Sequence, residues 1–256
     1  MKSNSGAILG LMLLAGVLAV VLACAPARAE DAAQTCEVPD NLLASESALP
    51  RVTDAVKGGH PLDILVVGSR SSTIASSEAS AYPARLQAML KEKLPSIKVN
   101  VAVELEAGKT AEEVDAGLVK LVAEKKPVLV IWQTGTVDAM RSIDPDDFHA
   151  AVDQGVTVLQ NAGADVILMN LQYSPRTETM IAAPPYLDNL RAVAQQHDVP
   201  LFDRFAIMRA WNDQGDFDLF SASPGIDLAK RVHGCIGSAL SKFVIGAAHL
   251  DPAQQN

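Results

Sequence analysis

Three short segments of this chain hold the side chains that could do covalent chemistry. The first follows Gly68 and reads Ser69-Arg70-Ser71-Ser72-Thr73, with Ser76, Ser77 and Ser80 beyond it. A hydroxyl in such a loop becomes a nucleophile when a neighbouring base takes its proton and N–H groups receive the developing oxyanion. The same residue type also caps helices and satisfies turns. The second segment, Gln133-Thr134-Gly135-Thr136-Val137-Asp138, gathers amide, hydroxyl and carboxylate groups; the third runs through Ser221, Ser223 and Asp227 towards His233. Nucleophile, oxyanion donors and base are the parts of an acyl-transfer site. No metal or cofactor is expected, because the chain has no Cys-x-x-Cys pair and its five histidines are scattered. His60, His149, His197 and His249 lie outside the three segments and are expected to be structural or solvent-facing.

An alternating pattern must position these segments. Apolar runs at 62–67, 97–103, 128–132, 166–169 and 201–202 predict five strands. Helical spacing predicts helices over 82–94, 111–124, 186–197 and 228–250, with short ones at 52–57 and 207–211. A further helix runs from Pro145, at the first helical position behind the cap Asp144, to about residue 162. Residues 171–185, with Pro175, Pro184 and Pro185, read as a loop. Strands apolar throughout, each followed by an amphipathic helix, imply a parallel sheet covered on both faces. In such sheets ligands bind beyond the carboxyl ends of the strands, where strand order reverses. The chemistry-bearing residues fall in three such places, 68–81, 133–140 and 220–232. No repeat or linker interrupts the pattern, so a single α/β domain over 60–250 is expected, preceded by an irregular arm over 30–59.

Composition removes other classes. The chain has 256 residues, 21 basic and 30 acidic, a net charge of -9 and 4% aromatics. That excludes phosphate-driven nucleic-acid binding, and 49% hydrophobic residues exclude disorder. Residues 1–29 read as a secretory signal: Lys2, an uncharged apolar stretch from Gly6 to Ala25, then Ala27-Arg28-Ala29 before Glu30. An uncleaved anchor and lipidation at Cys24 are the alternatives. Cleavage after Ala29 places the protein in the periplasm without a stable membrane span. It leaves 19 basic against 30 acidic residues, a charge of -11. Cys36 and Cys235 remain, and export makes a disulfide between them the expectation over two separate buried thiols.

The order strand-Gly68-Ser69, then Tyr82-Pro83-Ala84-Arg85-Leu86, then Ile131-Trp132-Gln133-Thr134-Gly135-Thr136 resembles the SGNH (GDSL) hydrolases, in particular an exported branch of Gram-negative bacteria. Asp144-Pro145-Asp146-Asp147-Phe148, Gln172-Tyr173, Arg204-Phe205, Met208-Arg209-Ala210-Trp211 and Gly234-Cys235 fit the same branch, so the resemblance covers roughly Cys36 to Ala247. It implies a flavodoxin-like, three-layer α/β/α sandwich with a five-stranded parallel sheet. For active members it implies hydrolysis of ester or acyl bonds on lipids or carbohydrates.

Carried over residue by residue, the resemblance loses its chemistry. The nucleophile position, two residues after the strand-ending glycine, holds Arg70, whose guanidinium stays protonated. The oxyanion glycine of the second block falls near Leu105. The Gly-x-Asn block reads Gly135-Thr136-Val137, so Val137 replaces a donor whose loss typically costs ~10²–10³ in rate. The Asp-x-x-His block, aligned on Gly234-Cys235, puts Pro224 at the aspartate and Asp227 at the histidine; aligned on His233, it puts Lys230 at the aspartate. The expectation is therefore a non-catalytic protein that uses the cleft for an acyl, glycan or small-molecule ligand, with Arg70 and Asp227 paired across it. The alternative is an active esterase built from Ser69 or Ser71 with His233 and Asp227 or Asp138. Six helical positions turn about 600°, however, which sets Asp227 and His233 on different faces. A third class is a structural partner of envelope polysaccharide machinery, its protein partner undefined.

Overall fold

In a computed structural model the described residues are 36–220 and 225–250. The signal segment 1–29 with Cys24, and Ser221, Ser223 and Pro224, lie outside them. Five parallel strands, β1 (Leu62–Gly68), β2 (Val99–Leu105), β3 (Leu129–Gln133), β4 (Asp165–Met169) and β5 (Leu201–Phe202), form one sheet in the order β2-β1-β3-β4-β5. β3 and β4 are buried along their whole length, which accounts for their unbroken apolar runs. β2 is an edge strand and leaves Val103 and Leu105 exposed.

Among the described residues ten α-helices accompany the sheet: α1 (Asp40–Leu43), α2 (Pro50–Lys57), α3 (Tyr82–Lys93), α4 (Ala111–Lys125), α5 (Thr136–Met140), α6 (Pro145–Asn161), α7 (Pro175–Met180), α8 (Ala183–Gln196), α9 (Arg204–Gln214) and α10 (Ile226–Ala247). α3 packs on α10, while α4, α6 and α8 pack in a row, so the sheet lies between two helical layers. α4 starts in a capping box, with Thr110 Oγ1 accepting the Glu113 N–H and the Glu113 carboxylate accepting the Thr110 N–H. It buries Val114, Leu118 and Val122, four residues apart. α6 begins as expected, with Asp144 accepting the Asp146 N–H and Pro145 inside the first turn. Among the described residues no helix is long and apolar enough to cross a membrane.

The structure differs from the sequence pattern in several stretches, among them α7 and the N-terminal arm. Residues 175–180 form a helix because Ser174 accepts the Thr177 N–H and Pro175 occupies the first turn. The N-terminal arm contributes to the core: Leu49, Val52 and Val56 are buried, and the Asp165 carboxylate at the start of β4 accepts the Val52 N–H at 2.9 Å. That carboxylate caps α2 from 113 residues away, an arrangement no local pattern signals. The disulfide Cys36–Cys235 is formed, with Cα atoms 5.1 Å apart, and ties the arm to α10.

Candidate functional site

Strand order reverses between β1 and β3, and the segments after β1, β2 and β3 converge there. β1 ends at Gly68, and a Cβ on that residue would stand 2.8 Å from the Ser72 Cβ, so only glycine permits the tight turn that follows. Ser69 caps this turn, accepting the Ser71 N–H, while the Ser72 hydroxyl accepts the Ser69 N–H. The serines are thereby folded back onto the end of β3. Gly135 adopts φ 94°, open to glycine, and starts α5 where a Cβ would press on Leu171.

The centre of the site is Gln133. Its Nε2 donates to Ser69 Oγ at 3.1 Å and to Ser71 Oγ at 2.7 Å. Its Oε1 accepts from Ser72 Oγ at 2.9 Å, Tyr82 OH at 3.1 Å and Arg204 Nη1 at 2.9 Å. A guanidinium only donates, so the Gln133 atom facing Arg204 is the carbonyl oxygen, and the amide nitrogen is turned onto Ser69 and Ser71. Arg204 is 1% exposed and also donates to Ser71 Oγ (3.2 Å), Ser71 O (3.2 Å) and Gln172 Oε1 (3.3 Å). It lies 5.7 Å from the Tyr82 ring centroid, within cation–π range. Burial lowers its pKa to about 10, which leaves it charged at neutral pH. Burial raises the Tyr82 phenol, so Tyr82 is neutral and donates.

Asp203 places Arg204. It caps α9 by accepting the Ala206 N–H, and Asn170 at the end of β4 bridges it to the Phe205 N–H. Gln133 is the amide of the second chemistry-bearing segment; Arg204, Tyr82 and Gln172 were not singled out for chemistry by the sequence. The available signal was a cation directly beyond the end of a short buried strand.

His233 is 8% exposed and stacks near Tyr82, ring centroids 5.9 Å apart. Its Nδ1 accepts the Tyr82 N–H at 3.0 Å, so the neutral ring carries its proton on Nε2. Desolvation, then the charge of Arg204, lower its pKa to about 4. Asp138 is buried; Oδ1 accepts the Ala111 N–H at 2.8 Å and holds the start of α4, while Oδ2 has no partner. Burial raises its pKa, and this environment makes it a helix-positioning group. Thr136 and Val137 are half-buried beside it.

The Arg70–Asp227 pair expected across the cleft does not form. Arg70 is exposed, and Asp227, 91% exposed, has Lys230 as its neighbour at 3.9 Å. The first turn of α10 points Asp227 to solvent while His233 faces inward, as their separation along the helix requires. Nor do the three segments share one space. Those after β1, β2 and β3 surround a cavity of about 10 Å³, flanked by the Lys109–Glu106 ion pair. That is room for about one water. His233 lines a separate cavity of about 230 Å³, together with Gln172 and Arg204. The Gln133–Arg204 network reaches both.

Solved structures of similar fold define the class. TesA matches with a TM-score of 0.54 at 23% identity, over 70% of this chain and 99% of that one. An acetylxylan esterase from Geobacillus stearothermophilus matches with a TM-score of 0.58 at 17% identity, over 72% and 94%. The psychrotrophic esterase EstA from Pseudoalteromonas sp. matches at 0.54 and 17%, over 69% and 93%. The fold is that of the SGNH/GDSL hydrolases. Within that class the chain belongs to the Non-GDSL lipase-like family, whose model matches residues 35–250. No curated protein is close enough in sequence to count as a relative.

Proposed function

We propose that this protein is an exported, non-catalytic member of its family that binds a ligand at the carboxyl ends of its strands. One observation carries the reading: the Ser69 and Ser71 hydroxyls receive hydrogen bonds from Gln133 Nε2, and Ser71 also from Arg204, while neither touches a carboxylate or imidazole. A nucleophile needs an acceptor for its proton, and donors on its oxygen draw electron density away from the attack. The small volume of the cavity beside Ser69 and the occupied Nδ1 of His233 support the same reading. The acyl, glycan or small-molecule character of the ligand is inferred from the fold class.

The test is the mature chain assayed on short-chain aryl esters beside Ser69→Ala and Ser71→Ala. All three are expected to match the buffer rate; turnover above background that one substitution abolishes would establish an active hydrolase instead. Export rests on the signal pattern and agrees with the disulfide, which persists in oxidising compartments. The periplasmic fraction is expected to contain a chain that begins at Glu30 and has no free thiol, read by intact mass before and after alkylation.

A further inference from the structure

The 230 Å³ cavity beside His233 has a lining whose charge is out of keeping with the protein. The chain carries -9 overall, yet among the described residues this cavity is lined by two arginines and no carboxylate. Arg204 forms part of its floor, and Arg176 is exposed on α7. The hydrogen-bond partners of Arg204 are all neutral: Gln133, Ser71 and Gln172. Its Nε is buried with no partner at all. A buried cation balanced only by dipoles is an expensive arrangement unless an anion completes it.

The geometry of the guanidinium shows how completion would occur. Nε and Nη2 share one edge, the edge that takes a carboxylate in bidentate fashion. On that edge Nε is empty and Nη2 holds Gln172 at 3.3 Å, the longest of the Arg204 side-chain bonds. Gln172 is half-buried and lines the cavity, so a swing of its amide opens the edge. Around it the walls are apolar, from Tyr173, Met208, Leu219, Leu228 and Val232. Phe220 and Ile226, close in the chain to Leu219 and Leu228, are among the large apolar side chains left exposed.

We infer that this cavity is a binding site for a small monocarboxylate with an apolar body, its carboxylate on the Nε–Nη2 edge of Arg204 and its chain against the apolar walls. This deepens the non-catalytic reading, since it assigns that binding site its ligand class. The volume lies below that of drug-sized pockets, which limits the ligand to a short or branched chain.

Calorimetric titration of the mature chain with octanoate, octanol and acetate tests the site. Octanoate is expected to bind at least about tenfold more tightly than octanol, because only the carboxylate completes the buried charge. Acetate, which leaves the walls empty, is expected to be weaker still. Arg176→Ala, an exposed position, should weaken octanoate by about threefold, and Ala229→Trp, which fills the cavity, should abolish it. Circular dichroism confirms that each variant is folded. Equal binding of octanol and octanoate, octanoate binding unchanged in folded Ala229→Trp, or no heat at millimolar octanoate would each overturn the assignment. Ester hydrolysis is measured on the same samples. Serine-dependent turnover with octanoate still bound would sink the non-catalytic reading and leave the carboxylate site standing.

Discussion

Gln133 sets the polarity of every hydroxyl around it, because its carbonyl must face the one group that cannot accept, Arg204. Ser69 and Ser71 are therefore acceptors from the Gln133 amide nitrogen, while the Ser72 hydroxyl donates to its carbonyl oxygen. His233 is the second residue whose environment decides its role. Its pKa falls from 6.5 to about 4 through burial and the neighbouring Arg204, with Tyr82 on its other side. The unfolded imidazole takes up its proton near 6.5 and the folded one only near 4. Stability from this group is thus full above about pH 7 and lost as pH falls from about 6.5 to 4, by on the order of 3 kcal/mol. Asp138 and Asp165, raised by burial, act in the opposite direction, so the comparison must be with a variant. His233→Asn keeps an acceptor for the Tyr82 N–H but does not titrate. Urea unfolding at pH 7 and pH 4.5 should show a loss in the wild type that His233→Asn lacks in large part; equal losses would reject this account.

At the scale of elements, α10 closes the site by crossing α3. The crossing is tight at Gly237, where a Cβ would stand 2.6 Å from Arg85 Cβ and 3.1 Å from both the Leu86 nitrogen and the Tyr82 carbonyl oxygen. Backbone cannot yield as a flexible side chain does, so Gly237→Ala should destabilise by about 1–3 kcal/mol despite the better helix propensity of alanine. The shift should also lengthen the Tyr82 N–H to His233 bond one turn away. Denaturant titration checks the first effect, and the His233 imidazole titration, followed by NMR and moved back towards 6.5, checks the second. Most of these elements were legible: β5 has its predicted bounds, and α3, α4 and α6 begin where they were expected. Their signals are local, namely apolar period and Pro145 behind Asp144. The short α5 and α7 were not read as helices, since a single turn shows too little period to register.

Across the whole molecule, one hydrophobic cluster runs from Leu49 to Leu250, and the disulfide joins positions 199 apart in the chain. The backbone carbonyl of Glu37, next to Cys36, accepts the indole N–H of buried Trp211 at 2.7 Å, which adds a second tether beside the disulfide at the start of the arm. Closing so long a loop restricts the unfolded chain, and removing the bridge typically costs about 2–4 kcal/mol. Cys36→Ser should lower the urea midpoint accordingly. The transition should remain single when Trp132 and Trp211 are followed separately in single-tryptophan variants, because both are packed in the same cluster. Two separated transitions would show that the arm and the sheet unfold independently.

By itself the sequence determined the class: a parallel five-stranded sheet between helices and a cysteine pair able to bridge. These follow from side-chain period, composition and residue identity, which are properties of the chain read locally. Only the tertiary structure decided how the side chains of the three segments are held. Gln133 meets Ser72 across 61 residues and Arg204 across 71, and Ser71 meets Arg204 across 133. Such contacts are set by strand order and helix crossing, so the buried network, the neutral inward His233 and the solvent-facing Asp227 became visible only once the sheet was assembled.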